Sequence, residues 1–257
     1  MRKIRLLLSY DGTDYQGWQK QPGLVTVQGT VETVLTQIYN EPIRVVASGR
    51  TDAGAHAVGQ VVHFEAPKVL VGEDKLVRRL NALLPDSAVA KGAWLAPENF
   101  HALASARRKT YVYRIWNHPI RSALWRHRAL WVPYPLDLRL LNRLATDIRG
   151  QKDFKSFQTQ GTPVKSTIRQ VDHCSWRQVG SYLVEMRIRG NGFLKQMVRN
   201  IVGTKLYLAR HGGGRQHLRD ILDAKDRQAA KATAAPYGLY LYRVEYPWDL
   251  DNKCRKL

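Results

Sequence analysis

The residues best suited to chemistry lie in one short stretch, Ala47-Ser48-Gly49-Arg50-Thr51-Asp52-Ala53-Gly54-Ala55-His56-Ala57. Gly49 and Gly54 bracket one arginine, one threonine and one aspartate, and His56 follows. A glycine-bracketed loop lets the backbone turn tightly and lets a ligand come close. An aspartate in such a loop has two ordinary fates. It closes an Asx-turn or caps a helix, which is the commoner role. Otherwise it presents an ionised carboxylate for nucleophilic, acid–base or electrostatic work. Spacing alone leaves both open. Other chemistries lack their signatures. The chain holds no G-x-x-x-x-G-K-[ST] run to cradle a phosphate, and His63-Phe64-Glu65 is not the H-E-x-x-H of a catalytic zinc. Cys174 and Cys254, the two cysteines, have no local spacing partners, so neither a disulfide framework nor a zinc site is expected. That usage points to a reducing cytoplasmic compartment. No cofactor and no metal are expected.

Three further groups invite chemistry. Arg199 stands among Met197, Val198, Ile201 and Val202, where an unpaired charge is costly; it either finds a partner or snorkels to solvent. Tyr111 and Tyr113 share a strand face, where core packing is the default role of a strand tyrosine. The run Arg107-Arg108-Lys109, with Arg114, Arg121, Arg126 and Arg128 and interleaved Trp116, Trp125, His127 and Trp131, is either a solvated face or a phosphate-binding one. His211-Gly212-Gly213-Gly214-Arg215 reads as a helix-ending loop before it reads as an anion nest.

Global charge favours the phosphate reading of the basic run. Lys and Arg number 41 against 21 Asp and Glu, a net of +20. Residues 1–100 hold 11 basic and 10 acidic side chains, whereas residues 101–257 hold 30 and 11. Such a concentration points to a polyanion. An anionic membrane surface would call for a basic amphipathic helix, which the sequence does not present.

These groups must be positioned by the elements around them. Ile4, Leu6, Leu8 and Tyr10 alternate as a strand, and the charged start Met1-Arg2-Lys3 lacks the cleavage site of a signal segment. Val27, Val31, Val34, Leu35 and Ile38 mark a helix capped by Thr26. Strands are expected over Ile43–Ala47, Val61–Phe64 and Val89–Leu95, with a helix through Leu76, Leu80, Leu83 and Leu84 stopped by Pro85. The order β-α-β-β-α-β is ferredoxin-like. It returns as a strand over Lys109–Trp116, a helix through Leu138, Leu141, Leu144 and Ile148, and a hairpin of Ile168–Gln178 with Tyr182–Ile188. A helix on Met197, Ile201, Lys205 and Leu208, a short one near Leu218–Leu222 and a strand over Tyr240–Tyr246 follow. The expected fold class is α/β (α+β), with two related ferredoxin-like halves whose antiparallel, mixed-order sheets join around a central cleft. The halves span 1–105, carrying the Asp52 loop, and 106–257, carrying the tyrosine strand and the Arg199 helix. The tail Asn252–Leu257 is expected to fray.

The stretch Ser48-Gly49-Arg50-Thr51-Asp52-Ala53-Gly54-Ala55-His56-Ala57 resembles the signature of the TruA family of pseudouridine synthases. Further blocks resemble that family in order: Tyr10-Asp11-Gly12 with Gly17-Trp18-Gln19, Gly59-Gln60-Val61-Val62-His63-Phe64 and Phe100-His101-Ala102. Tyr111-Val112-Tyr113, Phe193-Leu194 with Met197–Gly203, and Gly238-Leu239-Tyr240-Leu241 complete the set. Ala55 departs conservatively from a bulkier aliphatic residue. The resemblance implies an isomerase converting uridine to pseudouridine at positions 38, 39 and 40 of the tRNA anticodon stem-loop. It implies Asp52 as the essential carboxylate and Arg199 as its cationic partner. Tyr111 would stack on the extruded uracil, Leu241 would line the pocket, and Arg50 would fill the vacated stack or hold a phosphate. Arg107, Arg108 and Lys109 would contact RNA. Members of the family act as homodimers, with one tRNA spanning both subunits. The competing reading is a non-catalytic RNA-binding protein on the same fold; a DNA-binding regulator lacks any helix-turn-helix or zinc-finger spacing.

Overall fold

The computed structural model describes residues 2–67, 73–159, 161 and 163–257. Two compact units emerge: Met1–Arg108 together with Leu241–Leu257, and Lys109–Tyr240.

In the first unit, β1 (Arg2–Tyr10) follows the expected alternation, burying Ile4, Leu6, Leu8 and Tyr10. It lies antiparallel between β3 (His56–Ala66) and β4 (Ala88–Leu95). The short β2 (Val46–Ala47) adds to β3, which gives the sheet order β4-β1-β3-β2. Helices α1 (Val27–Tyr39) and α2 (Glu73–Leu83) supply the two crossovers. Thr26 caps α1, its hydroxyl accepting from the Gly29 N–H, and Val27, Val31, Val34 and Leu35 turn inward. This is the ferredoxin-like arrangement.

Two local expectations fail, each for a definable reason. Ile43–Val45 is not strand. The Ile43 N–H donates to Thr36 Oγ1 (3.2 Å) and the Val45 N–H to Glu32 Oε1 (3.1 Å). Helix side chains therefore take donors that a ladder would have used. The tail is not frayed either. Helix α6 (Trp248–Asp251) and β11 (Arg255–Lys256) fold back, β11 pairing with β4 and Leu257 N–H reaching Ala93 O (2.9 Å). Arg5 pairs with Asp251 beneath this segment, its guanidinium 5.1–5.6 Å from the rings of Trp94, Phe100 and Tyr246. A cation enclosed by three aromatic faces and one carboxylate anchors the returning chain.

In the second unit, β5 (Arg108–Asn117), β9 (Leu183–Gly190), β8 (Ile168–Gln178) and β7 (Gly150–Asp153) form an antiparallel series, with β6 (Leu130–Val132) parallel to β5. The β8–β9 hairpin closes through Val179 N–H to Leu183 O (2.8 Å). Helices α3 (Leu138–Ile148), α4 (Met197–Arg210) and α5 (Arg215–Ala224) complete the unit. Gly212 takes φ +69° and Gly213 N–H bonds Leu208 O (2.7 Å). The glycine run thus ends α4 in the manner of a Schellman motif. Strand β10 (Leu239–Glu245) carries the chain from the second unit back to the first. No helix among the described residues is long and apolar enough to cross a membrane.

Candidate active site

The Asp52 loop connects β2 to β3, and nearly every group around it is tied down. Ala55 N–H donates to Asp52 O (3.1 Å), closing a four-residue turn, and Gly54 at its third position takes φ +74°. A type II turn needs that conformation, which suits glycine and penalises side chains. Asp52 is therefore the first residue of a tight turn. Its neighbours hold the turn from behind. Trp18 N–H bonds Thr51 O (3.1 Å) and Gly54 N–H bonds Tyr15 O (3.3 Å). Gly17 sits at φ +84°, and a Cβ there would lie 2.9 Å from Thr51 O and 3.1 Å from Ala53 N. Only a glycine lets the 17–18 backbone lie this close to the aspartate loop.

Buried polar side chains fix the loop's entry. Gln60, wholly inside on β3, donates its amide N–H to Gly49 O (2.8 Å) and accepts at Oε1 from the Ser48 hydroxyl (2.7 Å). Tyr10 OH, at the end of β1, lies 2.8 Å from Thr51 Oγ1. Burial pushes the Tyr10 phenol up to about 12, only partly offset by Thr51 and Gln60, so it stays protonated at neutral pH. Beyond the turn, His56 Nδ1 lies 3.0 Å from Gly12 N and 3.1 Å from Asp11 Oδ1. It accepts from the amide when neutral and pairs with Asp11 when protonated. Asp52 itself is half-buried, whereas Arg50, two residues earlier, is exposed. A partly accessible carboxylate on a backbone fixed at both ends can meet a substrate atom with little reorganisation. Leu241, in the same unit, is fully buried.

The second unit holds Tyr111, Arg199 and Lys109, whereas Arg107 and Arg108 close the first stretch of the other unit. Tyr111 and Tyr113 point to one face of β5, opposite Ile188 and Met186 of β9. Their surroundings differ. Tyr113 is sealed, its hydroxyl donating to Ala235 O (2.7 Å), and burial raises its phenol strongly. Tyr111 is 7% exposed and packs edge-on to Phe193, with ring centroids 5.1 Å apart. Arg199 is buried, its Nε donating to Ala234 O (2.8 Å), so it does not snorkel to solvent. The next residue, Asn200, is also fully buried and donates to Phe157 O (2.8 Å). The start of α4 is thus pinned through two consecutive polar side chains. In the basic run, Arg107 is exposed and Arg108 half-buried. Lys109 is lowered to about 8 by burial and by Arg169. Among the described residues no group of three or more His, Cys, Asp or Glu is placed to hold a metal ion.

Residue patterns singled out Asp52, Arg199 and Tyr111, but not Ser48, Gln60 or Tyr10 as supports of the loop. The available signal was slight. Gln60 is a polar residue in an otherwise apolar strand, and Tyr10 is a phenol ending an alternating one.

The sequence profile of a family described as tRNA pseudouridine synthase matches residues 7–102 and 144–247. A "tRNA pseudouridine synthase A" of Bdellovibrio bacteriovorus is 45% identical over 99% of both chains. One from Maridesulfovibrio salexigens is 43% identical over 96% of this chain and 91% of its own. A third, from Geobacillus kaustophilus, is 41% identical over 95% of each.

Proposed function

This chain belongs to the tRNA pseudouridine synthase family, and we propose that it isomerises uridines at positions 38, 39 and 40 of the tRNA anticodon stem-loop with Asp52 as the essential carboxylate. The reaction breaks the N1–C1′ glycosidic bond, turns the uracil and rejoins it through C5. Substrate and product contain the same atoms, so one ionised carboxylate beside the ribose or base can support the sequence of bond changes. Held in place, it meets developing positive charge on the sugar or adds to the base. The observation that carries the reading is the construction around Asp52. A tight turn with a positive-φ glycine is locked from behind by Gly17 and from its entry by Gln60, Ser48 and Tyr10.

The remaining roles follow the family resemblance. Arg199 keeps the carboxylate ionised, Tyr111 stacks on the extruded uracil, and Leu241 lines the pocket. Arg50 supports the flipped nucleotide, and Arg107, Arg108 and Lys109 meet backbone phosphates. The working form is a cytoplasmic homodimer on tRNA. Unmodified tRNA transcript, incubated without added cofactor and mapped chemically for pseudouridine, tests the proposal. Asp52→Asn keeps the side chain's shape and removes its charge. Turnover is expected to fall at least about a thousandfold while tRNA affinity holds or tightens. An Asp52→Asn protein with wild-type turnover would refute the assignment and leave a carboxylate elsewhere to be found.

A further inference from the structure

Lysine is rarely enclosed without a counter-charge, yet Lys205 lies on the inward stripe of α4 with Met197 and Ile201 and is entirely shielded from solvent. Its hydrogen bond goes to a thiol. Nζ lies 3.4 Å from Sγ of Cys174, on β8, and Cys174 is equally inaccessible. Among the described residues this is the only hydrogen bond of the Lys205 side chain. The nearby carboxylate that could neutralise an ammonium is already engaged. Asp147 is held by Arg215 (2.7 and 2.8 Å) and by Arg219 (3.0 Å). Arg149 adds positive charge nearby, its guanidinium donating to the Cys174 carbonyl (2.7 and 3.2 Å). Loss of hydration, more than any charge nearby, lowers the lysine from its ordinary range. Burial shifts such an amine toward its neutral form, which is both a base and a nucleophile.

We propose that Cys174 and Lys205 form a peroxide-responsive modification site at which the two side chains become covalently joined through a sulfur–nitrogen bond. Cysteine buried against purely apolar neighbours is inert, because the reactive species is the thiolate. Here an amine within hydrogen-bond reach can take the thiol proton. The thiolate sulfur then attacks one oxygen of hydrogen peroxide, a small neutral oxidant. The O–O bond breaks, sulfur becomes a sulfenic acid, and the second oxygen leaves as hydroxide, which takes the proton back from Nζ to become water and restores the nitrogen lone pair. The Nζ lone pair next attacks the sulfenic sulfur and displaces its oxygen, which departs as a second water with a proton from nitrogen. Thiol, amine and one peroxide thus give a sulfenamide and two waters, with sulfur oxidised and peroxide reduced. Condensation of a sulfenic acid with a nitrogen is an established branch of cysteine oxidation and is reversed by thiols. Rotation about the lysine stem closes the remaining gap. The product ties α4, the helix that carries Arg199, to β8.

The test uses the full-length protein carrying Cys254→Ser, so that Cys174 is the sole thiol. After treatment with hydrogen peroxide and tryptic digestion, one cross-linked peptide pair is expected, joining the segments that contain residues 174 and 205. Its mass should be lower by two hydrogens than the sum of its parts. Cleavage after Lys205 should be blocked, and dithiothreitol should restore both peptides. Neither Cys174→Ser nor Lys205→Met should yield the pair. In Lys205→Met the sulfenic acid has no amine to capture it, so a dimedone adduct on Cys174 should appear that the Lys205 protein lacks. If Lys205→Met does not fold, the cross-linked peptide in the Lys205 protein decides alone. Recovery of Cys174 unmodified, or as sulfinic or sulfonic acid beside a free Lys205, overturns the proposal. None of these readouts depends on the reaction assigned to Asp52.

Discussion

Gln60 holds two loop groups with one amide, the Gly49 carbonyl and the Ser48 hydroxyl. Removing one partner of a buried hydrogen bond costs more than removing both, because the orphaned group keeps its desolvation penalty. Gln60→Leu therefore orphans those two groups and should lower stability by about 1–3 kcal/mol. If Asp52 performs the chemistry, the same change should lower kcat roughly tenfold, since misplacement is felt at the reacting centre. The tRNA affinity should be unmoved, which separates positioning from binding. The Tyr10–Thr51 contact gives a cleaner test. Thr51→Val and Tyr10→Phe should each reduce kcat, the pair together should do no worse than either alone, and Thr51→Ser should restore the rate. Additive losses in that cycle would show that the hydroxyls act independently. Asp52 stands out as a candidate because glycine and charge crowd into ten residues, and its expected role comes from the family resemblance. Its supports do not stand out, because Tyr10, Gln60 and Gly17 come from separate segments. Only the β1–β3 register, Leu8 opposite Gln60 and Tyr10 opposite Ala57, gathers the two strand residues.

Strand β3 also organises the segment that follows β4, and this has a consequence for pH. His63 accepts from Ala102 N–H at Nδ1 (3.1 Å) and meets the Phe100 ring edge-on and the His101 ring at 4.8 Å. Burial, then the neighbouring charges of His101 and Lys3, lowers its imidazole to about 4. An unfolded histidine titrates near 6.5. Between those values the unfolded chain takes up a proton that the folded chain refuses, so stability falls as pH drops from about 6.5 toward 4. His63→Gln should flatten that part of the profile, measured as denaturation midpoints at a series of pH values. An unchanged slope would assign the acid sensitivity to another group. Element boundaries were readable in proportion to their periodicity. The alternation of β1 and the Leu138–Ile148 stripe needed no tertiary information. Ile43–Val45 carried a strand composition, yet Glu32 and Thr36 capture its amides from the preceding helix. The closing residues looked like a basic tail, yet Asp251 and three aromatic rings supply a seat for Arg5 that composition cannot reveal.

At the scale of the chain, the charge asymmetry is the property that no single site explains. Residues 101–257 carry 30 basic and 11 acidic side chains, and the 1–100 stretch is nearly neutral. Some of that excess is structural: Arg215 and Arg219 serve Asp147, and Arg114 and Arg177 flank Glu185. Arg107, by contrast, is exposed to solvent. If the excess serves a polyanion, binding must release condensed counterions, and affinity must fall linearly in the logarithm of salt concentration. With several phosphates neutralised, affinity for unmodified tRNA should fall at least about a hundredfold between roughly 50 and 200 mM salt. Replacing Arg107 and Arg108 by glutamine should reduce the slope by about one for each phosphate left without its cation. Asp52→Asn should leave the slope intact, because a carboxylate neutralises no phosphate and displaces no counterion. A flat salt dependence in the Arg107 and Arg108 protein would mean that recognition rests on shape and stacking. A slope that changes only in the arginine variants would place the charge on the binding side of the reaction and the carboxylate on its chemical side.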